Sequence, residues 1–220
     1  MVKESILVIG TADPAPWHPL SGVEGEFRSL LTDLGTLEVT TDAQRLVSLE
    51  KGETGLLVCY ADTWDDSLND EQTAGLVRFA AGGGNLLVIH NGISYQKRPE
   101  FQALVGAKFT GHPDMTLLPF RSVAPGHPVC QGLAAEWDLK EEPYRFQTHT
   151  AVEAEILYEY QHEGAWHPAA WTTHFGLGTV VYLMPGHTAA SFQHPAYREL
   201  IRSSVRWLLN KIKPLSPTGS

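Results

Sequence analysis

Short apolar runs and helical spacings alternate along the first ninety residues. Ser5–Gly10 is a continuous apolar run closed by glycine, as expected of a strand buried on both faces. A proline-rich loop follows. Val23, Phe27, Leu30, Leu31 and Leu34 then recur at the spacing of one helix face, and Gly35 stops the helix. Residues 37–40 make a short second strand and residues 55–60 a third buried one, with a polar, helix-like stretch around Arg45 between them. Asn69 is placed to cap a helix that runs through Leu76, Val77 and Phe79 to Ala81 and ends at Gly82, Gly83 and Gly84. Residues 85–90 form a fourth strand that finishes on His90. This alternation implies right-handed βαβ units, hence a parallel sheet with helices on both faces.

After about residue 105 the rhythm changes. Residues 117–123, 155–160, 168–173 and 179–184 read as strands in close succession, which predicts an antiparallel or mixed extension of the sheet. A closing helix over 197–209 puts Leu200, Ile201, Val205, Leu208 and Leu209 on one face. The expected fold is therefore α/β, a three-layer sandwich whose mostly parallel sheet gains an antiparallel extension in the C-terminal half. With no repeat and no linker, residues 1–213 read as a single domain and residues 214–220 as a disordered tail.

Composition removes several function classes. The net charge of −9 and the lack of a basic stripe argue against nucleic-acid binding, which needs clustered Lys and Arg. No apolar run approaches the roughly 20 residues of a membrane span. Cys59 and Cys130 lie far apart and outside any CxxC, as in a reducing compartment. With no leader-like segment at residues 1–5, the expected location is cytoplasmic.

Ligands of open α/β sheets bind at the carboxyl ends of the strands. Here those ends deliver residues 11–18, 61–64 and 90–92, and a later strand delivers Pro185, Gly186 and His187. Of 10 histidines, His127, His167 and His194 precede proline and read as turn residues. His112 also precedes proline but can face the crevice. Glu141 and Glu142, beside Tyr144, are an acidic pair in an expected loop. The Gly82 to Gly84 run follows a helix and precedes a strand, so it is a helix stop and not a phosphate loop. No HExxH or CxxC metal signature is present. The aromatic residues Trp17, Trp64, Trp137, Trp166 and Trp171, with Tyr60 and Tyr95 near strand ends, are compatible with stacking on sugars, although such residues commonly belong to a core.

The order of several motifs resembles the ThuA-like, trehalose-utilisation family. They are the stretch from Gly82 to His90; Leu104 to Phe109 with His112; His127-Pro128-Val129 with Gly132-Leu133; Glu142 and Tyr144; Ala170-Trp171-Thr172 with Phe175 to Val180; and Gly186-His187. Glu141 departs from the family, which carries Asp there. The resemblance implies a branch of the class I glutamine amidotransferase-like, flavodoxin-like fold. His90 would then occupy the superfamily's cysteine-nucleophile turn, and His187 the place of its catalytic histidine. Imidazole cannot supply the acyl-thioester route, so a glutaminase is not expected.

The implied activity is carbohydrate catabolism, on a keto sugar or glycoside, by His/Glu acid–base chemistry. His90, His187 and Glu142 are the candidate catalytic residues. His18, Trp64, Asn91, His112, Tyr144 and His149 are the candidate substrate-binding residues. A divalent metal such as zinc, held among His90, His112, Glu142 and His187, is an open expectation. The partner is a small-molecule carbohydrate, with no nucleic acid and no membrane; a homo-oligomer is left open. The alternative is a non-catalytic sugar- or partner-binding module on the same scaffold.

Overall fold

The computed structural model describes residues 4–50, 52–64 and 68–211. The first strands of the parallel half are β1 (Ser5–Gly10), β2 (Thr36–Thr40), β3 (Leu56–Tyr60) and β4 (Asn85–Ile89); all but β2, a partly exposed edge strand, are apolar runs. Of these, β3 and β4 are buried at every position, as strands covered on both faces must be. The later strands are β5 (Ala107–Gly111), β6 (Thr116–Ser122), β7 (Glu136–Glu141), β8 (Arg145–Thr148), β9 (Glu155–His162), β10 (Ala165–Phe175) and β11 (Gly178–Leu183).

Nine strands form one sheet in the order β2-β1-β3-β4-β11-β10-β9-β6-β7. β2, β1, β3, β4 and β11 run parallel, with registers such as Val8 opposite Val58 and Val88 opposite Tyr182. From β11 outward every pairing is antiparallel, so the expected extension is present. β5 and β8 form a separate two-stranded ribbon. Strand order reverses between β1 and β3, and the carboxyl ends of β1, β3, β4 and β11 all open on one side.

Five helices complete the layers: α1 (Glu24–Leu31), α2 (Asp70–Ala81), α3 (Pro99–Val105), α4 (Ala189–Gln193) and α5 (Pro195–Asn210). α1 packs on α5 and α2 on α3, and α5 and α2 each cover β4 and β11. The three-layer, flavodoxin-like expectation holds. Asn69 does cap α2, in a reciprocal capping box with Gln72. A continuous core runs from Ile6 to Leu209.

Five of the labelled elements escape the sequence reading: α3, β5, β7, β8 and α4. The fourth strand stops at Ile89, one residue before His90. The acidic pair straddles the strand end: Glu141 is the last residue of β7, whereas Glu142 lies in the loop that follows, as expected. The stretch around Arg45 is a 3-10 turn, Ala43–Leu46. Residues 214–220, expected to be a tail, lie outside the described residues.

Candidate functional site

Five strand ends converge. The loop after β1 brings His18 back to the sheet through a bridge between Thr11 and Pro19. β3 delivers Asp62, β4 delivers His90, β11 delivers His187 and β7 delivers Glu141 and Glu142. One donor atom from each of His18, His90, Glu142 and His187 lies within 4.8 Å of the others.

His90 turns the chain sharply, with φ of 48°, a value sparsely populated by residues other than glycine. It leads straight into a 3-10 helix, His90–Lys97. Gly92 packs so closely that a Cβ there would sit 2.2 Å from the Cys59 carbonyl oxygen. This strand–turn–helix geometry is that of a nucleophile elbow, carrying imidazole instead of thiol. Cys59 itself is buried on β3 with its thiol pushed up to about 12, so it supplies no thiolate at neutral pH.

The proton positions on two rings follow from their partners. His90 Nδ1 lies 2.7 Å from the Met184 carbonyl oxygen, which can only accept, so the proton sits on Nδ1. Its Nε2 then turns a lone pair toward Glu142 Oε2 at 3.3 Å. His18 Nδ1 faces Asp62 Oδ1 at 3.7 Å, and its Nε2 meets His187 Nδ1 at 2.9 Å. Asp62 Oδ2 also accepts from the backbone N–H groups of Trp17 (2.8 Å) and His18 (2.7 Å). Glu142 Oε2 stands 3.1 Å from His187 Nδ1. These approaches are short but poorly aligned: His90 Nε2 and Glu142 Oε2 are buried without a well-directed hydrogen bond.

Such a donor set fits a divalent cation. A tetrahedral zinc with bonds of about 2.0–2.1 Å sets its donors ~3.3 Å apart, against the 2.9, 3.1 and 3.3 Å separations here. One of the rings, His90, is oriented from behind by a carbonyl, as metal-binding imidazoles usually are, while His18 Nδ1 faces the Asp62 carboxylate at a longer 3.7 Å.

Electrostatics point the same way. Burial opposes ionisation of Glu142, but the His187 and His90 imidazoles outweigh it and hold the carboxyl well below the usual range. Glu142 in turn raises His187, against burial. Burial lowers His18, with the Asp62 carboxylate facing its Nδ1 opposing that shift and the charges of His90 and His187 adding to it. Burial also disfavours the Asp62 carboxylate, yet its bonds from His18 and Trp17 bring it below the ordinary value.

Above the cluster lies a cavity of about 340 Å³ lined by Trp17, His18, Trp64, Phe109, His112, Glu142 and Tyr144. Phe109 joins Trp64 (centroids 4.9 Å apart) to Tyr144 (4.3 Å), and Tyr144 stacks on His90 (4.3 Å). The ribbon of β5 and β8 therefore roofs the site with aromatic faces.

Of the residues expected from the sequence, His18, His90, Glu142 and His187 meet, and Trp64, His112 and Tyr144 line the space above them. The expected metal set needs one correction. His112 is outside the four donors and His18 takes its place: His112 Nε2 stands 3.7 Å from the outer oxygen of Glu142, whereas His18 brings a donor within 4.8 Å of the other three. Asn91 is fully buried and does not line the cavity: its amide donates to the carbonyls of Tyr60 and Ala61, tying the turn after β4 to β3. His149 lines a different cavity, of about 790 Å³, with His174 and Phe175. His127, His167 and His194 pack against Trp207, Tyr160 and Trp137. Asp62 and Glu141, both buried, and Phe109 at the cavity are site residues that sequence reasoning did not assign, while Trp17, compatible by sequence with sugar stacking, does line the cavity.

Residues 23–208 match the ThuA family model, described as trehalose utilisation. The chain belongs to the ThuA family. This membership supports a carbohydrate-related role. A ThuA-like protein from Parabacteroides merdae superposes with a TM-score of 0.79 at 17% identity, covering 99% of this chain and 94% of that one. One from Bacteroides uniformis gives 0.76 at 17% identity, covering 94% and 91%. A cytoplasmic protein from Salmonella typhimurium gives 0.67 at 12% identity, covering 94% and 98%. At these identities the likeness is one of fold. No curated protein matches the sequence. Among the described residues, no helix is long and apolar enough to cross a membrane.

Proposed function

We propose that this ThuA-family chain is a carbohydrate-processing enzyme, of the cytoplasm like its Salmonella relative, that moves a proton beside the carbonyl of a keto sugar or keto glycoside. One observation carries the reading: donors from His18, His90, Glu142 and half-buried His187 converge within 4.8 Å of one another beneath an aromatic-walled cavity. His18, His90, Glu142 and His187 would hold a divalent cation. When bound, such an ion supplies positive charge next to a sugar oxygen that becomes anionic.

The chain's own groups do the rest. Trp64, Phe109 and Tyr144 offer flat apolar faces to a sugar ring and exclude water from it. His112, with Nδ1 bonded to Pro113, presents Nε2 at the cavity wall as the proton carrier. It takes the proton from the carbon next to the carbonyl, and the electron pair moves to the carbonyl oxygen. Return of the proton to the former carbonyl carbon, with the hydroxyl proton of the adjacent carbon passing to the former carbonyl oxygen, isomerises the sugar. Alternatively the carbonyl re-forms, the β C–O bond breaks as the Cα–Cβ double bond forms, and the leaving oxygen takes the proton from His112.

The test is solvent exchange. Untagged protein is assayed by NMR in D2O for deuterium uptake next to the carbonyl in a panel of 3-keto glycosides, alongside elemental analysis. Uptake that stops on chelation and returns with Zn2+ supports the reading. No uptake with any of them, with ligand binding intact, leaves the chain a binding module and overturns it.

A further inference from the structure

Glu141 is fully buried at the end of β7, its backbone fixed by pairing with Thr116 of β6. A carboxylate in that setting is costly unless donors surround it. Four do. Oε1 accepts from the backbone N–H groups of Gly186 (2.9 Å) and His187 (3.2 Å) and from the Ser191 hydroxyl, while Oε2 accepts from the N–H of Glu142 (3.1 Å). Three of the donors belong to the candidate ligands Glu142 and His187 and to Gly186 beside the latter, and the fourth, Ser191, lies in α4. Gly186 adds a third link: a Cβ there would fall 2.9 Å from His90 Cβ, so the turn that Glu141 grips is also the surface against which His90 rests.

We infer that Glu141 is the positioning residue of the donor cluster, fixing Glu142, His187 and, through Gly186, His90 in mutual register without itself touching the ligand. The inference rests on reading the four donors as a cation site. A carboxylate is needed because both oxygens must accept. Glutamine would turn an N–H toward the Glu142 N–H.

Zn2+ affinity is measured for the full chain by competition with a chromophoric chelator, and the visible spectrum of the Co2+-loaded protein is recorded. Glu141→Gln is expected to bind Zn2+ about 10- to 100-fold more weakly, as loss of an outer-shell partner does, with an altered Co2+ spectrum. Unchanged affinity and spectrum overturn the inference. If Glu141→Gln does not fold, Ser191→Ala, which removes one of the four donors, serves in its place: a weaker site supports the inference, an unaltered one overturns it. If the wild type binds no divalent ion, the cation reading falls. Positioning is then decided by the metal-free crystal structure of Glu141→Gln: separation of His187 Nδ1 from Glu142 Oε2 beyond about 4 Å upholds it, and retention of the contact overturns it.

Discussion

His90 Nε2 and Glu142 Oε2 face each other across 3.3 Å after the other ring nitrogen of His90 has been committed to the Met184 carbonyl. With neutral imidazole, two electron-rich atoms meet inside the protein. A proton or a cation between them removes the conflict, and His18 and His187 offer two more donors to the same point. His90→Ala and His187→Ala are therefore expected to weaken Zn2+ binding by at least roughly 100-fold, since each deletes a direct ligand where loss of an outer-shell partner alone costs about 10- to 100-fold. His149→Ala, in the separate cavity, should match wild type. Equal loss in all three variants would show that the ion binds elsewhere.

How much of this the sequence discloses depends on the physical signal. The parallel strands are legible because burial on both faces leaves uninterrupted apolar runs, and the carboxyl-end rule then places His90 and His187 before any coordinates. β7 is hidden because Glu136, Asp138 and Lys140 interrupt it. Yet Trp137, Leu139 and Glu141 share one face of its two-residue period, and that face is the inward one. The period was a usable sign that Glu141 is buried. Which histidine completes the cluster was not readable: His18 and His112 are separated by long chain segments from the other donors, and only the folded loop after β1 decides between them. Asp62 carries no local signature beyond following a strand.

Trp17 is 62% exposed at the cavity mouth although its backbone N–H is pinned to buried Asp62. An anchored loop with an outward indole is a platform for the part of a sugar that leaves the cavity. Trp17→Ala should raise KM roughly two- to tenfold, the worth of one aromatic contact, with kcat and Zn2+ affinity held. A matching fall in kcat would place the indole closer to the reacting atoms.

Away from the site, Asp33 binds Arg202 through both oxygens, and this hydrogen bonding from α5 lowers its carboxyl to about 2. A depressed carboxyl contributes stability above its unfolded value of about 3.8 and loses it as pH falls toward about 2. Because the pair is exposed, Asp33→Asn should cost less than about 1 kcal/mol at pH 7. Denaturant titrations of both proteins should show that gap narrowing below pH ~4. A gap constant with pH would mean that Asp33 acts through packing.

Gly186 joins the two halves of the site. Its φ is +144°, and an added Cβ would lie 2.9 Å from both His90 Cβ and Ile89 Cγ2, while its N–H is held by Glu141. Alanine is strained there by backbone and by space at once. Gly186→Ala should destabilise by about 3 kcal/mol, combining a strained φ with overpacking, and lower Tm by roughly 10 °C. The strain has two outlets, displacement of His90 or of the 186–187 turn, and both move a donor, so Zn2+ affinity should fall with stability. Gly126→Ala is the control, because nothing lies within 4 Å of its added Cβ and it should be near neutral in both measurements. Gly186→Ala with full affinity and a wild-type Tm would show that the turn yields without disturbing His90, and would separate the packing of the elbow from the geometry of the donors.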